Sequence, residues 1–165
     1  MRIQFAKWRT SEWSARLAYK NFKGISEDSI RCLVEPTKDR KYLLNLNPKF
    51  ISVISEIRKN KKIPDEEHIA LSIHSQGTCR RIIELFVERD DIKGFFDVMK
   101  IQVTQIYANH LEVSRGKFTG NIIGQPITKH NKIDNIPKGC IFIGDDHDEK
   151  AIINSKGVNF EFVKL

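Results

Sequence analysis

Cys140-Ile141-Phe142-Ile143-Gly144-Asp145-Asp146-His147-Asp148-Glu149 sets an unbroken apolar run against a glycine and then four acids in five positions. A short apolar run without alternation suits a strand buried on both faces, and such strands belong to parallel sheets covered by helices. Glycine lets the chain turn sharply out of the strand. Acids at that point hold a divalent cation through hard oxygen ligands, or else cap the helix that follows over about 148–155. In a sheet of this type the ligand site lies beyond the carboxyl ends of the central strands.

Working outward, Val158 to Val163 reads as a closing strand. His68 to His74 is a second short apolar run, bounded by charge and by Gly77. A helix over about 78–88 follows, burying Ile82, Ile83, Phe86 and Val87, then a strand over Val98 to Val103. Residues 109–124 form a hairpin, His110 to Val113 and Lys117 to Ile123, joined by the turn Ser114-Arg115-Gly116. Toward the front, Arg2 to Phe5 is a first strand and Ser11 to Phe22 a helix, and Ser26 caps a second helix. Asn47 and Pro48 start another helix, in which Phe50, Ile51, Val53, Ile54 and Ile57 share one face. This alternation predicts an α/β domain with a mostly parallel central sheet.

With 165 residues and 40% hydrophobic content the sequence suits one compact domain over residues 1–165. It contains no apolar run long enough to span a bilayer, and Met1 to Trp13 is too polar for a secretory leader, so a soluble, cytoplasmic protein is expected. Cys32, Cys79 and Cys140 form no C-x-x-C pair and read as reduced thiols in or near the core. The net charge of +7 suits a polyanion. Its cations are dispersed, however, and the densest run, Arg58 to Lys62, ends a helix with no interleaved aromatic residue, so nucleic acid is not favoured as a partner.

The stretch from Ile143 to Gly157, IGDDHDEKAIINSKG, resembles the last motif of the haloacid dehalogenase superfamily. By that resemblance Asp145 is the first acid, nearest the metal, and Glu149 the second, with Asp146 and Asp148 as extra acids. Ile69 to Ile83, IALSIHSQGTCRRII, resembles the second motif, in which a hydroxyl ending a buried strand meets the phosphoryl oxygen. Ser75 takes that role, with Ser72 as runner-up and Gln76 and Gly77 as further phosphate-binding positions. Ala108 to Gly124, ANHLEVSRGKFTGNIIG, resembles the hairpin before the third motif in the phosphoserine phosphatase-like branch. The third-motif lysine, which offsets phosphate charge, is then Lys129, or else Lys132. The resemblance implies a Rossmann-like fold with a hairpin excursion, a small helical cap over residues 11–45, a magnesium ion and a phosphorylated small-molecule ligand.

The front of the chain departs from that pattern. Where the family ends its first strand in F-D-x-D-G-T, this sequence reads Phe5-Ala6-Lys7-Trp8-Arg9-Thr10, so Ala6 stands at the nucleophile position and Trp8 at that of the acid and base. Neither side chain attacks phosphorus or shuttles a proton. The other candidate for the first strand, Cys32 to Thr37, offers only Glu35. The sequence therefore predicts a phosphatase-like pseudoenzyme with part of its phosphate and metal pocket, magnesium binding being weakened by loss of the aspartates. An active magnesium-dependent phosphomonoesterase using Glu35, Asp39 or Asp146 is one alternative, and a basic nucleic-acid or protein-interaction module another.

Overall fold

The structure is a computed structural model that describes residues 12–35, 44–128, 131, 132, 134, 136, 139–144, 150, 151, 153 and 161–164, with no account of the side chains of 12–14 and 161–164. The expected first strand with Ala6 and Trp8, and likewise Asp39, Lys129, Asp145, Asp146, Asp148 and Glu149, lie outside the described residues. The protein is α/β and divides into two compact units, one formed by residues 1–45 and 68–132 and the other by residues 46–67 and 133–165.

In the first unit, α1 (Glu12–Tyr19) runs into a 3-10 turn at Lys20–Phe22. Ala15 and Tyr19, four residues apart, are buried together. Helix α2 (Glu27–Val34) starts where the Ser26 hydroxyl accepts a hydrogen bond from the Ser29 N–H at 3.1 Å, with Glu27 and Asp28 in the positive first turn. Ile30 and Val34, again four apart, are its buried face. Cys32 to Val34 is therefore helical, which removes the alternative first strand: the cap and the apolar spacing outweigh the local β tendency. Cys32 is exposed, against expectation, while Cys79 is buried and Cys140 half-buried.

Strand β1 (Ile69–Cys79) pairs in parallel with β2 (Ile101–Asn109), and the connection carries α4 (Arg80–Glu88) and α5 (Asp90–Val98). The expected strand at Val98 to Val103 is corrected here. Asp90 and Asp91 occupy the first turn of α5, and Ile92 and Phe96 bury its face, so helix continues through Val98 and the strand starts only at Ile101. The pairing steps from Leu71–Val103 to Ser72–Gln105, leaving Thr104 as a bulge whose hydroxyl donates to the Leu71 carbonyl at 3.3 Å.

Between α4 and α5 the side chain of Arg89 is buried. Its guanidinium donates to the carbonyls of Val34 (3.2 Å) and Leu44 (2.7 Å), pairs with both oxygens of Asp91 and lies 5.1 Å from the centre of the Phe86 ring. The Arg89 hydrogen bonds hold the Asp91 carboxyl below the usual carboxylate range.

The hairpin is β3 (Leu111–Ser114) and β4 (Lys117–Ile122). Arg115 and Gly116, both at positive φ, form its two-residue turn, as a right-twisted hairpin prefers. The other edge of β4 is met by residues 24–26, through the bonds Gly24 N–H to Phe118 O and Phe118 N–H to Ile25 O. Tyr19, Ile30, Val34, Cys79, Ile82, Leu85, Leu111, Phe118 and Ile122 form one apolar cluster, so residues of the expected cap stretch share a core with α4 and the hairpin.

The second unit contains α3 (Pro48–Lys61), capped by the Asn47 side chain with Pro48 in the first turn. Val53 and Ile54 are buried, whereas Ile51, expected on the same face, is exposed. Arg58, Lys59 and Lys61 occupy its last turn, and the Arg58 guanidinium donates to the carbonyls of Pro64 (2.7 Å) and Glu67 (2.9 Å). Strand β5 (Ile141–Gly144) pairs in parallel with β6 (Glu161–Lys164). Lys150, Ala151 and Ile153 are helical, and Ile153 is fully buried. No helix among the described residues is long and apolar enough to cross a membrane.

Candidate functional site

At its carboxyl end β1 leaves the ladder. Ser75 pairs with Ala108, the next rung is Cys79 with Asn109, and Gln76, Gly77 and Thr78 are extruded between them. The Ser75 hydroxyl oxygen accepts a hydrogen bond from the Thr78 N–H at 3.1 Å, which closes the extruded loop on itself just before α4 begins. Ser72, the runner-up, sits inside the ladder opposite Gln105. Gln76 and Gly77 thus lie in the loop with Ser75.

Two side chains grip this loop from below. The Tyr19 hydroxyl donates to the Gln76 carbonyl at 3.1 Å, and the Asn109 side-chain amide donates to the same oxygen at 3.0 Å. Asn109 also donates to the Ile127 carbonyl at 3.2 Å and accepts from the Ile127 N–H at 2.7 Å. The side-chain oxygen of Gln76 is buried and has no hydrogen-bond partner among the described residues. Such an acceptor is unusual in a folded interior.

Beyond Ile127 the chain makes a reciprocal cap. Thr128 N–H donates to the Asn131 side-chain oxygen at 2.7 Å, Asn131 N–H donates to the Thr128 hydroxyl at 3.3 Å, and Lys132 N–H reaches the Thr128 carbonyl at 3.1 Å. Lys132 is buried. Its carbonyl accepts from Nδ1 of His74 at 2.6 Å, and the imidazole lies against the Tyr107 ring with centroids 4.6 Å apart. Burial lowers the His74 pKa most; the Lys132 carbonyl opposes that shift, and the Lys132 charge adds to it. The imidazole is therefore neutral at pH 7, with its proton on Nδ1.

Of the positions singled out by sequence, Ser75, Gln76 and Gly77 share one loop, and Lys132 is tied through its carbonyl to the residue before them. Glu35 lies past the end of α2, exposed and paired with Arg31 at 3.1 Å. Among the described residues no group of three or more His, Cys, Asp or Glu side chains is arranged to hold a metal ion. The acids expected to hold magnesium, Asp145, Asp146 and Glu149, fall outside those residues. Sequence reasoning assigned no role to Asn109, Tyr19 or His74. An asparagine directly after the run Ile106-Tyr107-Ala108 was an available signal.

Comparison with known protein families, curated proteins and solved structures finds no match to this chain.

Proposed function

We propose that the protein is a phosphoserine phosphatase-like pseudoenzyme of the haloacid dehalogenase type, with a Rossmann-like sheet, that binds phosphate or a phosphorylated small molecule without covalent chemistry. The observation that carries this reading is the closed loop Ser75–Thr78 at the carboxyl end of a parallel strand, leading directly into α4. Ligands of parallel α/β sheets are held at such ends, and N–H groups of a following first helical turn suit an anion. The side-chain oxygen of Gln76 offers an acceptor to a ligand hydroxyl or amine. Lys132, which is buried and whose carbonyl meets His74, is a candidate for the third-motif lysine beside Lys129. With Ala6 and Trp8 in the first motif, no aspartyl-phosphate forms.

Three measurements on the full chain test this. Titration with inorganic phosphate, followed by amide resonances, is expected to shift Ser75, Gln76, Gly77 and Thr78 first. Incubation with a generic phosphomonoester and magnesium is expected to give background hydrolysis, and beryllium fluoride no stable adduct. Turnover that persists on further purification and is abolished by Asp145→Asn would replace this reading with that of an active enzyme. Shifts confined to other segments would place the anion elsewhere.

A further inference from the structure

We infer that Asn109 is a positioning residue that holds the loop at the carboxyl end of β1 and the lysine-bearing stretch after β4 in one fixed geometry. The inference rests on the phosphate-binding reading above and adds the side chain that assembles its site. Asn109 is only 1% exposed, yet its hydrogen bonds leave its own strand. They run to Gln76, 33 residues back, and to Ile127, 18 residues on.

Toward Ile127 the side-chain amide donates to the carbonyl and accepts from the N–H, which reproduces the two-bond rung of a sheet with a side chain in place of backbone. From Ile127 the constraint passes to Thr128, whose carbonyl and hydroxyl hold Lys132 N–H and Asn131 N–H. Toward Gln76 the same amide fixes the first residue of the loop that Ser75 closes. One buried group is thus bonded to both segments that supply the site.

The chemistry singles out asparagine. Leucine, of the same branched shape but larger, would leave the Ile127 N–H without its acceptor. Aspartate would set a buried charge against the carbonyls of Gln76 and Ile127, and glutamine is a methylene longer. Tyr19 offers an internal control, because its hydroxyl meets the same Gln76 carbonyl from a different element, α1.

The test compares Asn109→Ser with Tyr19→Phe in the full chain, reading amide hydrogen exchange and the affinity for inorganic phosphate in EDTA. In Asn109→Ser the Ile127 and Lys132 amides are expected to exchange about tenfold faster or more, with α2 amides unchanged, and phosphate affinity to fall about tenfold. In Tyr19→Phe those two amides keep their rates, and affinity changes by less than about threefold. Unchanged exchange at Ile127 and Lys132, a uniform acceleration across β1 and β2, or equal affinity losses in both variants would overturn the inference. If the unmodified chain binds no phosphate, the proposed function falls and the exchange rates alone decide the positioning role. If Asn109→Ser does not fold, hydrogen exchange of the unmodified chain in rising sub-denaturing urea serves: the Thr78, Ile127 and Lys132 amides are expected to open together, because one side chain holds both segments. Separate opening of Thr78 and of Ile127 sinks the inference.

Discussion

Ser75 and His74 are sequence neighbours on β1 with different tasks. The Ser75 hydroxyl holds the Thr78 N–H, so Ser75→Ala leaves that donor unpaired and is expected to cost about 1 kcal/mol of stability. Phosphate affinity should fall in the same variant, which chemical denaturation and phosphate titration together detect. His74 is held neutral because its ring is partly buried against Tyr107 and Lys132. Its folded pKa lies below the ordinary value of about 6.5, so below that pH the unfolded chain takes up a proton that the folded chain refuses. Stability contributed by neutral His74 is therefore full above about pH 6.5 and declines as pH falls toward the folded pKa. Urea midpoints measured from pH 7.5 down to 5 should show this decline in the native chain and a shallower one in His74→Gln. Equal slopes in the two proteins would mean that the imidazole is not held neutral.

Among the elements, the packing of β4 and the α4–α5 joint are the most exposed to single changes. Gly120, at φ +84°, would bring a Cβ to 3.2 Å from the Lys20 Cα and carbonyl oxygen, so backbone and packing both oppose a side chain there. Gly120→Ala is expected to destabilise by about 2 kcal/mol, read from chemical denaturation. Arg89→Ala leaves the carbonyls of Val34 and Leu44 without their donor and is expected to cost about 3 kcal/mol, with Arg89→Lys recovering part of it. Elements whose signals are local were legible in sequence. Ser26 announced α2, Asn47-Pro48 announced α3, and Arg115-Gly116 announced the hairpin turn. Helix α5 and the true span of β2 were not, for physical reasons. The bulge at Thr104 moves the apolar phase from Ile101 and Val103 to Ile106 and Ala108, so strict alternation fails through the strand. Val98, which reads as the start of a strand, instead closes a helix and is 80% exposed. The candidate site was legible only as a serine at a strand end. Asn109 and Tyr19 act across long sequence separations, which no local pattern records.

For the whole molecule, the proposed phosphate binding without phosphoryl transfer rests on a loop at the end of a parallel strand, a buried lysine and the residues Ala6 and Trp8 near the start of the sequence. Restoring both acids, Ala6→Asp with Trp8→Asp, should leave turnover at background, because Lys7 and Arg9 flank those positions and remain. Under the proposed reading, a first motif with Ala6 and Trp8 in place of two aspartates has about two fewer negative charges and hard oxygen ligands, which weakens a divalent cation more than an anion. Calorimetric titration of the full chain with inorganic phosphate, once in EDTA and once with excess magnesium, addresses the central claim most directly. The account predicts weak binding in EDTA that magnesium leaves unchanged; binding seen only with magnesium, or no binding in either condition, would contradict it.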